Sequence, residues 1–120
     1  MRKFIAFATF SLAILIAVTS IFAHDTWLIP SKYHCEPGET IAVDIATGME
    51  FPASESAVDE ERVSILTAVH GPLTIAPTAY SVADDALRAT LPLPSGENAP
   101  GTWVVVGSLN SRLIELGAED

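Results

Sequence analysis

The sequence predicts an all-β fold, an antiparallel sandwich over residues 24–120 preceded by a cleavable signal helix over residues 1–23. Three observations predict it. Apolar residues alternate strictly at Ile41, Val43 and Ile45, short candidate strands recur between Gly, Pro and Asn punctuation, and the first 23 residues differ in composition from all that follow.

The amino-terminal segment opens with Arg2 and Lys3, continues with the uninterrupted apolar stretch from Phe4, and leaves through Thr19-Ser20-Ile21-Phe22-Ala23. A positive start, an apolar middle and a small-residue exit are the parts of a secretory signal, with cleavage expected after Ala23. A retained anchor is the alternative, because Phe4 to Ala23 carries no charge and a helix of about 20 residues spans a bilayer. Thr19 and Ser20 weaken the end of that span, and no positive cluster follows it as a stop-transfer signal. The expected location is therefore periplasmic or secreted, with no stable membrane insertion after cleavage.

The mature chain is next read strand by strand. Thr40-Ile41-Ala42-Val43-Asp44-Ile45-Ala46 has period 2, the mark of a strand with one buried face. Glu36-Pro37-Gly38-Glu39 introduces it as a turn, with Pro presetting the first φ and Gly supplying a positive one. Further strands are expected at 27–35, 62–70, 73–76, 87–93, 102–109 and 112–116. Seven short strands in one domain of this size predict an Ig-like or fibronectin-like sandwich. Trp103-Val104-Val105-Val106 is expected to be a central strand covered on both faces. Trp27 and Trp103 are expected as core anchors, and Cys35 as a buried, hydrophobe-like thiol. Residues 48–61 show no period and read as a long solvated loop; Glu50, Glu55, Asp59, Glu60 and Glu61 lack the alternating spacing that wraps calcium.

Composition excludes several functions. The mature chain holds 4 basic and 15 acidic residues, a formal charge of −11, so nucleic acid is excluded as a partner for want of clustered Lys and Arg. One cysteine in the chain excludes an intramolecular disulfide and a multi-cysteine zinc site. No phosphate loop, G-x-S-x-G or H-E-x-x-H occurs. His34-Cys35 is the one adjacent nucleophile and base, and on a strand such neighbours point to opposite faces. A non-enzymatic role is therefore expected.

The candidate chemistry is made by processing. Cleavage after Ala23 turns His24 into the first residue, whose α-amine and imidazole Nδ1 chelate one metal ion through a six-membered ring. Imidazole suits nickel, copper and cobalt. Two donors are not a selective site, so the fold must bring others from Asp25, His34 or His70. His34 lies about 33 Å of extended strand away, within reach only if the chain folds back near Pro30. His70, before Gly71-Pro72, belongs at one rim of the sandwich.

Ala23-His24-Asp25-Thr26-Trp27-Leu28-Ile29-Pro30, Glu36-Pro37-Gly38-Glu39-Thr40, Thr47-Gly48-Met49-Glu50-Phe51-Pro52 and Pro100-Gly101-Thr102-Trp103 with Ile114-Glu115-Leu116 together resemble an exported family of bacterial periplasmic proteins. That family, a domain of unknown function, begins A-H-x-x-W-L after its signal and includes proteins described as periplasmic components of nickel or cobalt uptake. The resemblance implies a β-sandwich that handles a divalent transition metal, nickel or cobalt or else copper, with His24 at the family's post-signal histidine. It also implies a membrane metal transporter as partner. Members usually continue well beyond the Ile114-Glu115-Leu116 block, so a truncated member is expected. Two other functions stay open at this point: a structural or carbohydrate-facing module of the cell envelope, and a histidine-brace copper enzyme, for which Trp27, Tyr33, Phe51, Tyr80 and Trp103 are few aromatic side chains to build a substrate platform.

Overall fold

The computed structural model describes residues 24–111, so the expected signal helix and the strand expected at 112–116 lie outside the described residues. Within them the chain forms β1 (Asp25–Pro30), β2 (Thr40–Gly48), β3 (Ser56–Ala57), β4 (Val63–His70), β5 (Leu73–Ile75), β6 (Ala79–Ala83), β7 (Ala86–Pro92) and β8 (Val104–Leu109), with a 3-10 turn at Glu60–Arg62 before β4. Among the described residues no helix is long and apolar enough to cross a membrane.

Two antiparallel sheets pack face to face. One has the order β1-β2-β7-β6, with the short β3 also on β2, and the other β5-β4-β8. This is the strand arrangement of an Ig-type sandwich, in which the chain passes between the sheets at β3–β4, β5–β6 and β7–β8. Period 2 explains which side chains fill it. Ile41, Val43 and Ile45 of β2 stand directly across from Leu91, Ala89 and Leu87 of β7, and all six are buried. Leu66 and Ala68 of β4 close on them from the other sheet, and Leu28 and Val105 pack on both halves of the core. On the outer face of the same strands, Arg88 Nε and Nη2 donate to the two oxygens of Asp44, at 2.7 and 2.9 Å. The pair sits in direct cross-strand register, where opposite charges attract.

Two turns set the strand ends. In residues 36–39 the Glu39 N–H donates to the Glu36 carbonyl at 3.1 Å, and Gly38 has φ 81°, the geometry of a type II turn with Pro and Gly in their expected places. Between β6 and β7, Asp84 and Asp85 have φ 51° and 57° and join Ala83 to its register partner Ala86. That is a two-residue type I′ hairpin, which Asp tolerates because its short polar side chain visits the left-handed region.

Several expectations are corrected. β1 ends at Pro30, so residues 31–39 are a loop and not strand. Residues 48–61 are not a free loop, since they contain β3 and send Val58 into the core. The β6 strand was not expected. Its Tyr80 and Val82 are too few apolar residues to display a period. Nor is β8 covered twice: Val105 faces the core while Val104 and Val106 are 56% and 46% exposed. A β-branched run reflects preference for a pleated surface and does not require burial on both sides. Trp27 lies outside the sandwich core, across the strand from Ala46 and edge-stacked on Phe51 at 5.6 Å and 69°. Trp103 packs against the core as expected.

Candidate functional site

The expected metal ligands separate into two groups at opposite ends of the sandwich. β1 runs in register with β2 from Asp25 opposite Gly48 to Pro30 opposite Val43, a length of about 20 Å. His24 and Asp25 therefore stand at one end, and the loop carrying His34 begins at the other.

At the second end a cleft of about 530 Å³ opens between the β1–β2 loop and the segment leading into β8. Its floor includes Leu28, Val43 and Trp103, and its walls include Tyr33, His34 and Cys35. Cys35 is half-buried and free, not fully enclosed, and packs against the core from the loop. Because residues 34 and 35 lie in a loop, strand alternation does not separate them. Even so, no hydrogen bond joins them among the described residues. His70 ends β4 near this cleft. Its Nδ1 lies 2.9 Å from the Thr102 carbonyl, which can only accept, so Nδ1 bears the hydrogen. The ring stacks on Trp103 at 5.2 Å and lies against Gly101, where a Cβ would come within 2.3 Å of Cε1. These contacts give His70 a structural task. Neither His34 nor His70 approaches His24: the chain does not fold back at Pro30 to return His34, and β4 ends with His70 beside Thr102 and Trp103.

The cleft rim is held by charge. Lys32 Nζ donates to Glu39 Oε1, and the Glu36 N–H donates to Glu39 Oε2 at 3.0 Å. The Lys32 hydrogen bond, with the backbone donor of Glu36 adding to it, holds the Glu39 carboxyl below its ordinary value, and the same contact raises Lys32. With the folded value depressed, this pair stabilises the rim fully above the unfolded value near 4.5 and releases it as pH falls through the lower folded value. Lys32→Met is expected to move the Glu39 midpoint upward in a carboxyl NMR titration. An unmoved midpoint would remove the lysine from this account.

The first end holds the other group. His24 Nε2 lies 3.1 Å from Glu55 Oε2, with the two side chains 55% and 51% exposed. The sequence points to Asp25 as the carboxylate, whereas the structure supplies Glu55 from the exposed acidic stretch. Residues 49–55 are tied down to do this. The Glu55 N–H donates to the Thr47 carbonyl at 2.8 Å, and the Ala53 N–H donates to the Glu50 carbonyl at 3.0 Å. Ser54 Oγ accepts from the Thr47 N–H at 3.1 Å and donates to the Asp85 carbonyl at 2.6 Å. Phe51, stacked on Trp27, anchors the outer side. Asp25 is exposed in register with Gly48.

No family model, curated protein or solved structure matches the chain. The chemistry of the site therefore rests on its own residues. Among the described residues no three His, Cys, Asp or Glu side chains gather as a metal-binding group. A chelate at His24 would take its second nitrogen from the α-amine that the expected cleavage after Ala23 would free. The residues present fit such an ion: Glu55 Oε2 stands 3.1 Å from Nε2, on the side of the ring away from Nδ1, the nitrogen that closes a six-membered ring with the amine.

Proposed function

We propose that the exported, mature chain binds a divalent transition metal, nickel or cobalt or else copper, through the α-amine and Nδ1 of His24, as cargo for a membrane metal transporter. The observation that carries the reading is the placement of His24 immediately before β1, more than half exposed at one end of the sandwich with its Nε2 3.1 Å from Glu55 Oε2. An ion held by two protein nitrogens keeps coordination positions for water or for a partner's ligands. Such a site releases its ion readily, unlike a closed structural site. That suits delivery more than storage, and it uses no bond-making chemistry. His34 and His70 are not part of this set.

The test is calorimetric titration of Ni²⁺, Co²⁺ and Cu²⁺ into protein beginning at His24, beside the same protein acetylated on its α-amine. Acetylation converts the amine into an amide and removes it as a donor. Binding is expected in the first form and absent from the second. Equal binding, or none in either, would overturn the reading.

A second reading, a structural or carbohydrate-facing envelope module, is favoured by the other end of the sandwich. There Tyr33 is 83% exposed at the wall of a cleft floored in part by Trp103, an arrangement able to stack on a sugar ring. The same titration separates the two, since that module binds no metal.

A further inference from the structure

Glu55 and His24 come from different parts of the chain, and the register explains how they meet. Ser56 lies opposite Thr47 and Ala57 opposite Ala46. Continuing that ladder by one residue sets Glu55 opposite Gly48, and its N–H reaches the Thr47 carbonyl. On the other side of β2, Gly48 is opposite Asp25, the residue after His24. The last residue of β2 is thus flanked by the histidine on one edge and the carboxylate on the other.

What allows them to touch across it is the missing side chain of Gly48. A Cβ there would stand 3.3 Å from Glu55 Cγ, 3.4 Å from Glu55 Oε2 and 2.8 Å from the Ala53 carbonyl oxygen. The glutamate side chain passes over the glycine to reach Nε2. A carboxylate 3.1 Å from Nε2 favours the neutral tautomer that carries its hydrogen on Nε2 and its lone pair on Nδ1. Histidines that ligate metals commonly hold a carboxylate or carbonyl on the nitrogen away from the ion, fixing tautomer and ring direction.

Resting on the amino-terminal metal reading, we propose that Glu55 is the positioning residue of the site. It locks the His24 imidazole in the Nε2–H form, so that the Nδ1 lone pair converges with the α-amine on one ion, and Gly48 is the passage through which it acts. Glu55 is not itself a ligand.

The test uses protein beginning at His24, with NiCl₂ and CuCl₂ as probes, and compares the parent, Glu55→Ala, Glu55→Gln and the parent acetylated on its α-amine. Glu55→Ala is expected to weaken binding about 10- to 100-fold. Glu55→Gln, whose amide oxygen still accepts from Nε2–H, is expected to restore most of it. In the metal-free protein, the ¹⁵N shifts of the His24 ring report the tautomer independently of binding: Nε2–H in the parent and in Glu55→Gln, a mixture in Glu55→Ala. Parent-like affinity and tautomer in Glu55→Ala, with the acetylated form still failing to bind, would overturn the role of Glu55 and leave the chelate standing. Glu55→Gln as weak as Glu55→Ala would overturn positioning in favour of direct ligation by the carboxylate. Undiminished binding by the acetylated form would overturn the chelate itself.

Discussion

Truncating Leu91 to alanine is expected to cost the domain about 3 kcal/mol of unfolding free energy. Leu91 is fully buried on β7, directly opposite Ile41, in the half of the core that also contains Val43 and Ala68. Both sheets contribute rigid backbone around it, so the space vacated by the side chain cannot collapse and the loss includes the cavity as well as the buried methyls. Small domains have only about 5–15 kcal/mol of stability to lose. Urea unfolding of the mature chain is expected to show a midpoint about 2 M lower with little change in slope. The control is Val82→Ala on the neighbouring β6, where the side chain is exposed and the cost is expected to stay within about 0.5 kcal/mol. Equal effects from the two substitutions would show that the Leu91 side chain does not lie between the sheets.

Gly101→Ala is expected to destabilise by about 2–4 kcal/mol, through backbone strain together with a displaced ring. Gly101 has φ 137°, which an L residue adopts only with strain, and the new methyl would fall 2.3 Å from His70 Cε1. The ring must then leave Trp103 and give up its hydrogen bond to the Thr102 carbonyl. Part of that cost belongs to His70, so it disappears when the ring is already absent. His70→Ala combined with Gly101→Ala is therefore expected to be less damaging than the sum of the single changes by at least about 1 kcal/mol. Urea unfolding followed by tryptophan fluorescence measures all three. Strict additivity would mean that glycine is needed there for its backbone alone.

Much of the fold can be read from local pattern, because one sheet face is dry and the other wet. Ile41, Val43 and Ile45 declare their strand by alternation, and Glu36-Pro37-Gly38-Glu39 declares its turn by residue type. Elements that depend on distant partners leave no such trace. β3 is two residues long and exists because β2 extends past the end of β7, and Val58 is a lone apolar residue amid acids. Trp27 was assigned to the core from its size alone, although its strand places Leu28 inward and leaves the indole to cover Ala46. The candidate site divides in the same way. His24 stands out because the signal expected over residues 1–23 would end just before it. Glu55 is one carboxylate among many in an acidic stretch, and only the register at Gly48 distinguishes it. The end at which His34 stands depends on whether the chain reverses at Pro30, and that of His70 on which strands β4 pairs with, matters that no spacing rule contains.

The Asp84-Asp85 turn also governs how copies of the chain meet one another. β6 is an outer strand of its sheet and carries a largely exposed Val82, so its free backbone groups are a template on which another strand can add. Pro77 shortly before the strand and two adjacent carboxylates immediately after it bracket those five residues with a group that cannot donate and with charges that repel their like on an approaching copy. A tight reversal that determines the pairing of two strands within the molecule thereby discourages the same pairing between molecules.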